Sequence, residues 1–340
     1  MTAQSRATFP VLGGMSGWTR TTLSGAFSRG RKRGVSTLAI IANPHARRNR
    51  LWPLAAEALR KAAPGAPILE TGTEDELRRA AREVAALRPR VVAIAGGDGT
   101  VQHTLTALRE FMGGALPSLA LLGGGALDSL ADGLGGSGDP EDRLRRVAEA
   151  LAAGSDLRVE ERDTLEARGQ LGFRLGAGLP QRFLDALYAT GRPGAWASAA
   201  LIARGLVSSA FDGPFAEQLY QPLPVSVALD GEEWPRVPLF GLVCSSVEES
   251  GLHLRPFRRA TEQPGAFQVL GLTGRPLQFA LELPRLALGR PARRDRLLDN
   301  VAERVEIRGR PFRWFLDGEM HSSDGSLSIG VGPRVQLVSA

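Results

Sequence analysis

The feature that most constrains the fold is a series of four short apolar runs, which occupy residues 37–42, 67–70, 91–95 and 119–122. None of them alternates with polar residues, and this is typical of strands that are covered on both faces. Helical segments separate the runs, as expected for the crossover connections between parallel strands. The first part of the chain is therefore predicted to form a doubly wound parallel sheet of the α/β class.

The segments between the runs support this prediction. Thr73 and Glu76 have the spacing of a capping box, in which each side chain bonds to the other residue's backbone N–H. Apolar residues at helical spacing follow them up to Leu87. Further helices are predicted at about 51–61 and 141–153.

Residues beyond about 155 have a different pattern. The stretch 225–229 alternates between apolar and polar residues and meets Asp230-Gly231, a favoured two-residue hairpin turn. Two helical stretches, 181–190 and 196–209, interrupt a set of short strands. This half is predicted to be an antiparallel β-sandwich. Its other strands are predicted at 240–243, 267–270, 305–307, 312–316 and 327–331.

The chain is thus expected to contain two units after a leader. Residues 1–36 are rich in Gly, Ser and Arg, and we interpret them as a disordered basic leader or a start assigned too early. The alternative is a weak electrostatic tether to an anionic membrane. The α/β unit is assigned to 37–155 and the β-sandwich to 156–340, with the option that the last strands return to the first unit.

Composition excludes several classes of protein. The single cysteine, Cys244, excludes a disulfide framework and a cysteine-based zinc cluster. Neither Lys32 nor Lys61 follows a G-x-x-x-x-G run, so the Walker-type phosphate loop is absent. No apolar run reaches the ~18 residues of a transmembrane helix. The net charge of +6 favours anionic partners. However, the basic residues are dispersed and aromatics are few, so nucleic acid is not expected.

The most informative motif is Gly96-Gly97-Asp98-Gly99-Thr100, which ends the third run and begins a helix. Ligands bind at this edge of a parallel sheet, where glycines permit positive φ and bring amides close to a phosphate. Asp98 would repel a phosphate unless a cation, most often Mg²⁺, bridges the two. The alternative is a structural turn in which Asp98 caps the next helix. A second glycine loop, Gly123-Gly124-Gly125, follows the fourth run and favours the phosphate interpretation.

With Asn43-Pro44 after the first run, this motif resembles the diacylglycerol kinase catalytic-domain family. Its relatives include bacterial lipid kinases, sphingosine kinases and ceramide kinase, and the resemblance extends through nearly all of 37–340. Residues 173–178 are similar to the glycine-bearing strand that starts the family's lipid domain. Asp317-Gly318-Glu319 is similar to its closing D-G-E segment. NAD kinases carry the same glycine motif, but the order and spacing of all these elements favour the lipid-kinase branch.

The resemblance implies transfer of the γ-phosphate of ATP to a lipid hydroxyl, in a cleft between the α/β unit and the β-sandwich. Glu319 is implied as the general base with Asp317 beside it, and two neighbouring carboxylates raise one another's proton affinity. Asp98 is the expected magnesium ligand. The nucleotide-binding residues are expected to be Asn43, Thr71, Gly96, Gly97, Asp98, Gly99, Thr100, Gly125 and Asp128.

The D-G-E tripeptide occurs twice. Asp230-Gly231-Glu232 is interpreted as an ordinary hairpin turn. Only the position of the later copy, after the strand predicted at 312–316, favours Glu319 as the base.

The chain departs from the family pattern in three places. The second loop, G-T-x-N-D in the family, reads Gly125-Ala126-Leu127-Asp128-Ser129, and Gln102-His103 replaces Asn-Glu after the first loop. The family also has an acidic D-G pair in a metal site beyond Pro256. Here Pro264-Gly265 carries no acid, and Glu262 is the nearest substitute. A kinase-like binding protein without turnover, and an NAD kinase, therefore stay open as alternatives.

A lipid substrate requires contact with a bilayer surface. Arginines interleaved with leucines between 283 and 296 predict an interfacial basic helix or loop, the alternative being a solvated loop. We expect a cytoplasmic protein that is peripheral to the inner face of the membrane, and a homodimer is left open. The residues concerned are Leu283, Arg285, Leu286, Leu288, Arg290, Arg293, Arg294 and Arg296.

Overall fold

The computed structural model describes residues 37–49, 54–124, 130–131, 138–191, 193–211, 213–250, 254–291 and 297–339. Within these ranges, no helix combines the length and hydropathy needed to cross a membrane. The helices are α1 (Leu54–Ala62), α2 (Glu74–Leu87), α3 (Asp98–Met112), α4 (Pro140–Ala152), α5 (Leu179–Ala189), α6 (Ala195–Ala210), α7 (Pro214–Leu219) and α8 (Pro276–Ala287). A short 3₁₀ helix spans Arg47–Asn49.

In the described ranges, the strands form three six-stranded sheets. In chain order they are β1 (Leu38–Ala42), β2 (Ile68–Glu70), β3 (Val91–Ala95), β4 (Ser118–Leu121), β5 (Arg158–Arg162), β6 (Leu165–Ala167), β7 (Gln170–Gly172), β8 (Arg174–Gly178), β9 (Val225–Leu229), β10 (Glu232–Glu233), β11 (Gly241–Ser245), β12 (Phe267–Leu272), β13 (Leu297–Ala302), β14 (Arg304–Gly309), β15 (Phe312–Leu316), β16 (Glu319–Ser323), β17 (Ser326–Val331) and β18 (Val335–Ser339).

The first sheet has the order β2-β1-β3-β4-β18-β5, and its first four strands are parallel. All residues of β1 and β3 are buried, in agreement with their unbroken apolar sequences. The predicted capping box is present at the start of α2, where Thr73 Oγ1 accepts from Glu76 N and Glu76 Oε2 accepts from Thr73 N. The predicted α/β class is confirmed.

The first sheet also contains two strands from distant parts of the chain. β18 pairs in parallel with β4 and antiparallel with β5. In the sequence, all strands of the two remaining sheets therefore lie between β5 and β18. β5 belongs to the first sheet although it follows the expected unit boundary at 155. This arrangement places both connections between the units at one edge of the first sheet.

The other two sheets have the orders β10-β9-β14-β17-β6-β7 and β13-β12-β11-β8-β15-β16. Their strands are antiparallel, and the inner faces of the two sheets share one apolar core, which includes Phe267, Leu316 and the fully buried Trp314. The predicted antiparallel sandwich is confirmed. Its position brings β7 next to α3 of the first unit, and Leu171 N donates to Thr106 Oγ1 across this contact.

Both D-G-E segments form the same hairpin turn. Asp230 and Gly231 have φ of 52° and 91°, and Asp317 and Gly318 have φ of 43° and 96°. Positive φ at both central residues is the signature of a type I′ turn. Local conformation therefore does not distinguish the two copies, and any difference in function must come from what surrounds them.

The segment beyond Pro256, where the resemblance implied a metal site, is held by an arginine. Arg259 donates to Glu262 Oε2 at 2.5 Å and to the Asp299 carbonyl oxygen at 3.0 Å, and its Nη1 lies 3.6 Å from Asp299 Oδ1. Across the described residues, no group of three or more His, Cys, Asp or Glu is arranged to hold a metal. The residues here do not fit a metal ion, because a guanidinium already neutralises both carboxylates.

Substitution of Arg259 tests this interpretation. Arg259→Met is expected to lower the free energy of unfolding by about 1–3 kcal/mol, because Glu262 and Asp299 lose the donor that they share. Arg236 pairs with Glu233 in an equivalent i,i+3 geometry, but its side chain is 84% exposed. Arg236→Met should therefore change stability by less than about 0.5 kcal/mol.

Urea titration of both variants gives the comparison. Without nucleotide, EDTA should leave the wild-type midpoint unchanged. An EDTA-sensitive midpoint, or equal stability of the two variants, would contradict the assignment.

Candidate active site

The turn from β3 into α3 carries the glycine motif. A Cβ added at Gly96 would lie 2.5 Å from the Thr100 side chain, and one at Gly99 would lie 2.5 Å from Glu319 Oε1. Neither glycine has positive φ, and Gly97 has φ of −82°. The expectation that these glycines supply positive φ is wrong. At Gly96 and Gly99, a Cβ would instead force a neighbouring side chain to shift.

Positive φ occurs instead in the second glycine loop. Gly123 and Gly124 have φ of 83° and 137°. A Cβ on Gly124 would lie 3.5 Å from the backbone nitrogen of Gly96, so the two loops are in contact at the ends of adjacent strands. Two predicted site residues of this loop, Gly125 and Asp128, lie outside the described residues.

Asn43 and Thr71 occupy the same edge of the sheet in different ways. Asn43 Nδ2 donates to Thr100 Oγ1 at 3.2 Å, so this side chain supports the glycine turn directly. Thr71 is buried, and its hydroxyl donates to the Ala42 carbonyl oxygen at 3.3 Å. Asn43 is thus joined to the motif, whereas Thr71 ties β1 to the segment after β2.

Asp98 is the first residue of α3, and it contacts the segment after the second loop. Its Oδ1 accepts from Leu130 N at 3.2 Å. The same residue lines a cavity together with Gly97, Gly99 and Glu319. The N-cap of α3 is Gly97, so the alternative in which Asp98 caps this helix is wrong. Asp98 instead combines its contact with Leu130 and a position in the wall of the cavity.

The two acids of the later D-G-E turn have different environments. Asp317 is buried, and its two carboxylate oxygens accept from Phe173 N and Arg174 N, each at 2.8 Å. The Glu319 side chain is 47% exposed, and its Oε1 lies 3.9 Å from His103 Nε2. Asp317 thus holds the turn against the start of β8, while Glu319 extends into the cavity.

Burial raises the pKa of Asp317 to about 7, and the nearby Asp98 carboxylate acts in the same direction. The guanidinium of Arg174 and the two backbone donors oppose this effect without cancelling it. The carboxylate that raises the pKa of Asp317 is therefore Asp98 of the glycine turn.

The sequence did not single out Tyr188 or His321 as parts of this site. Tyr188 donates to the Gly318 carbonyl oxygen at 3.1 Å, and burial, Glu319 and Asp98 together raise its pKa. His321 stacks on Trp314 with ring centroids 4.4 Å apart, and burial lowers its pKa. The period of two along β16 places His321 on the same face as Glu319, a signal that could have identified it.

The cavity has a volume of about 790 Å³ and extends from the glycine turn into the second unit. Its charged lining residues, Asp98, Arg174, Asp317 and Glu319, belong to the end near the turn. The rest of the wall comes mainly from aliphatic and aromatic side chains of α5, α6, α8, β11 and β12. They include Phe183, Leu184, Leu187, Leu201, Ile202, Val243, Leu270, Leu272, Phe279, Leu283 and Leu286.

The earlier D-G-E copy has no such surroundings. Asp230 Oδ1 accepts from Glu303 N and Arg304 N, and Glu232 is exposed at the edge of its sheet. Neither residue lines the cavity. The environment thus distinguishes Glu319 from Glu232, although their turns are alike.

In this two-unit architecture, a glycine turn at the edge of a parallel sheet faces a carboxylate from a β-sandwich. Residues 37–158 match the sequence family of the diacylglycerol kinase catalytic domain. The resemblance inferred from the motifs is therefore confirmed over this segment. No significant match was found among curated proteins.

Solved bacterial structures share the fold. A candidate diacylglycerol kinase from Bacillus anthracis str. Sterne has a TM-score of 0.66 at 16% identity, covering 92% of this chain and 99% of its own. A second structure from that organism, described as a diacylglycerol kinase, has a TM-score of 0.63 at 16% identity, covering 90% and 97%. The shared architecture therefore extends well beyond the segment matched by the sequence family.

The raised pKa of Asp317 predicts a pH dependence of stability. Between its ordinary value of 3.8 and about 7, the folded protein holds a proton that the unfolded chain has released. The free energy of unfolding contributed by this group must then fall as pH rises through that interval. Compared with Asp317→Asn, which cannot ionise, the wild type should lose on the order of 3 kcal/mol between pH 4 and 7.

Urea titrations across this pH range measure the difference between the two proteins. Asp324→Asn is the control, because the pKa of Asp324 is lowered, mainly by backbone hydrogen bonds. The difference in free energy of unfolding between the wild type and Asp324→Asn should not decline in the same way as pH rises. A pH-independent difference for Asp317→Asn would refute the assignment.

Proposed function

We propose that this protein is an ATP-dependent lipid kinase that phosphorylates a hydroxyl of a diacylglycerol- or sphingoid-like lipid. The proposal is carried by one observation, that the apolar cavity meets the glycine turn beside Glu319. Such a cavity suits an acyl chain, while its charged end suits the hydroxyl to be phosphorylated.

The nucleotide side of the site is formed by the glycine turn and α3. Backbone N–H groups at the start of a helix favour phosphate oxygens, and Gly97 and Gly99 of this turn line the cavity. Asn43 supports this turn through Thr100. These contacts would position the γ-phosphate of ATP toward Glu319.

A magnesium ion fits the donor set at this position. Mg²⁺ is commonly held by one or two carboxylates together with substrate phosphates, and Asp98 lines the cavity at the turn. When bound, the ion would neutralise phosphate charge that Asp98 alone would repel. Asp98 is the residue that we assign to it.

The chemical step assigned to this chain is a proton transfer coupled to phosphoryl transfer. The Glu319 carboxylate accepts the proton of the lipid hydroxyl, and the hydroxyl oxygen forms a bond to the γ-phosphorus. The bond between that phosphorus and the β,γ-bridging oxygen breaks, so ADP leaves with the electron pair. Asp317 and Tyr188 position Glu319 through the turn that they hold.

The lining of the cavity favours a lipid over NAD as acceptor. Arg174 is its one cationic side chain among the described lining residues, and the surface beyond the charged end is almost wholly apolar. A dinucleotide carries two phosphates and two riboses, which need hydrogen-bond donors and cations. ATP as phosphate donor agrees with a cytoplasmic protein that works at the inner face of the membrane.

Turnover with different acceptors tests the function. ATP consumption and product formation should be measured with diacylglycerol, a sphingoid base and NAD, and we expect a phosphorylated lipid and no product from NAD. Lipid binding without turnover for any acceptor would favour the kinase-like binding protein.

Glu319→Gln should abolish turnover while the fold is retained. Loss of the base is expected to reduce kcat by about 10²–10⁴-fold, because the amide cannot accept the proton. Glu232→Gln is a matched control, since Glu232 follows the same type of turn outside the cavity. Equal activities of the two variants would refute the assignment of the base.

Gly99→Ala tests the close approach of the two units. The added Cβ would lie 2.5 Å from Glu319 Oε1, so the carboxylate must move. We expect kcat to fall by about 10²-fold, as for other misplacements of about 1 Å. Gly114→Ala is the control, since a Cβ there meets no atom within 4 Å. Unchanged kcat in folded Gly99→Ala would show that the position of Glu319 is not critical.

A further inference from the structure

We infer that the outward face of α6 and α8 is the surface by which this protein docks on an anionic lipid bilayer. The inference rests on the proposed function, because a bilayer is where an acceptor with long acyl chains resides. It adds the part of the molecule that contacts the bilayer and the route by which a lipid would reach the cavity.

The outward face of α6 carries large apolar side chains in solvent. Trp196 is 90% exposed, Val207 is 61% exposed, and Phe211, directly after the helix, is 82% exposed. The three fall on one side of the helix at its 3.6-residue period. The sequence of α6 contains no acidic residue, and Arg204 is its one charged residue. Such a face is unusual for a helix that only meets water.

α8 packs beside α6 and extends the same surface. Leu277, Leu281 and Leu288 are 43%, 62% and 70% exposed and also lie on one side of their helix. Contiguous exposed apolar side chains mark sites that bind another surface. The two helices therefore present one apolar patch, composed of Trp196, Val207, Phe211, Leu277, Leu281 and Leu288.

The inward faces of the same helices line the cavity. Leu201 and Ile202 of α6, and Phe279 and Leu286 of α8, are among its lining residues. The two helices thus separate the cavity from the apolar patch. A lipid that moves between them would remain in contact with apolar side chains from the bilayer to Glu319.

The exposed charged residues of α6, of α8 and of the positions next to the ends of α8 are basic. Arg204, Arg275, Arg285 and Arg290 are exposed on α6, on α8 or next to its ends. The acid of α8, Glu282, is buried and lies 3.5 Å from Arg285. A positive rim around an apolar face complements a bilayer with anionic head groups, as in other interfacial helices.

From the sequence, the contact with the bilayer is expected at the leucines and arginines between 283 and 296. Leu288 faces solvent, but Leu283 and Leu286 line the cavity, so they are not part of the outer surface. Arg293, Arg294 and Arg296 lie outside the described residues. The docking surface therefore includes α6, which the sequence analysis did not consider.

Vesicle sedimentation of the full chain without nucleotide tests the inference. Phosphatidylcholine vesicles with and without phosphatidylglycerol should be compared for the wild type, Leu281→Asp, Trp196→Asp and Leu54→Asp. Leu54 is a matched control, because it is a helical leucine with the same 62% exposure as Leu281 but lies on α1. Substitutions at exposed positions should leave the fold intact, which circular dichroism checks.

We expect the wild type and Leu54→Asp to bind anionic vesicles, and Leu281→Asp and Trp196→Asp to bind at least about tenfold more weakly. Binding should also weaken with salt and without phosphatidylglycerol. All four proteins should phosphorylate a short-chain acceptor dissolved in buffer at similar rates.

Equal binding of Leu281→Asp and Leu54→Asp, or no binding by the wild type, would overturn the inference. So would a homodimer that Leu281→Asp dissociates, since the patch would then be covered by a second copy; light scattering detects this. If vesicle binding follows the expected pattern but no acceptor is phosphorylated, the docking surface is supported and the proposed kinase activity fails.

Discussion

The site depends on the buried carboxylate of Asp317. Its two oxygens accept the backbone N–H groups of Phe173 and Arg174, which fixes the turn between β15 and β16 to the start of β8. Glu319 follows this turn and meets Gly99 of the other unit, where any larger residue would displace it. Contacts between α3 and the sandwich, such as the ion pair of Arg109 with Glu166, hold the units in this relation. The buried Asp317 thus positions the exposed Glu319.

The same tripeptide serves two purposes in this chain. Both D-G-E segments form type I′ turns, because Asp and Gly tolerate the positive φ that such turns require. Only the later one is surrounded by the glycine turn, Tyr188 and the apolar cavity. The chemistry proposed for Glu319 therefore arises from tertiary contacts, and the motif supplies only the local geometry that presents the carboxylate.

The elements that could be predicted from the sequence are those stabilised by contacts between nearby residues and those that are completely buried. The runs that became β1 and β3, the capping box of Thr73 and the hairpin at Asp230 all carry their signal within a few residues. Strands such as β5 and β18 escaped prediction because they carry polar or charged residues and depend on partners far away in the chain. Family resemblance identified Glu319, but neither pattern nor resemblance could indicate that Asp317 is buried or that Tyr188 contacts its turn.

The role of the glycines was misjudged for a related reason. A glycine-rich turn motif suggests positive φ, which is a local property of the backbone. The close approach at Gly99, in contrast, comes from Glu319, which is distant in the chain. The cavity and the apolar face of α6 are likewise invisible in sequence, since burial and exposure of an apolar helix give the same composition. The proposed function requires that lipid and nucleotide meet at the Glu319 carboxylate.

A crystal structure with a non-hydrolysable ATP analogue, magnesium and a long-chain lipid tests this meeting most directly. The account predicts the acyl chain in the cavity between α5, α6 and α8, with the γ-phosphate at the turn of Gly96 to Thr100. The lipid hydroxyl should lie about 2.6–3.2 Å from a Glu319 carboxylate oxygen. A lipid bound elsewhere, or a nucleotide whose γ-phosphate points away from Glu319, would contradict the account.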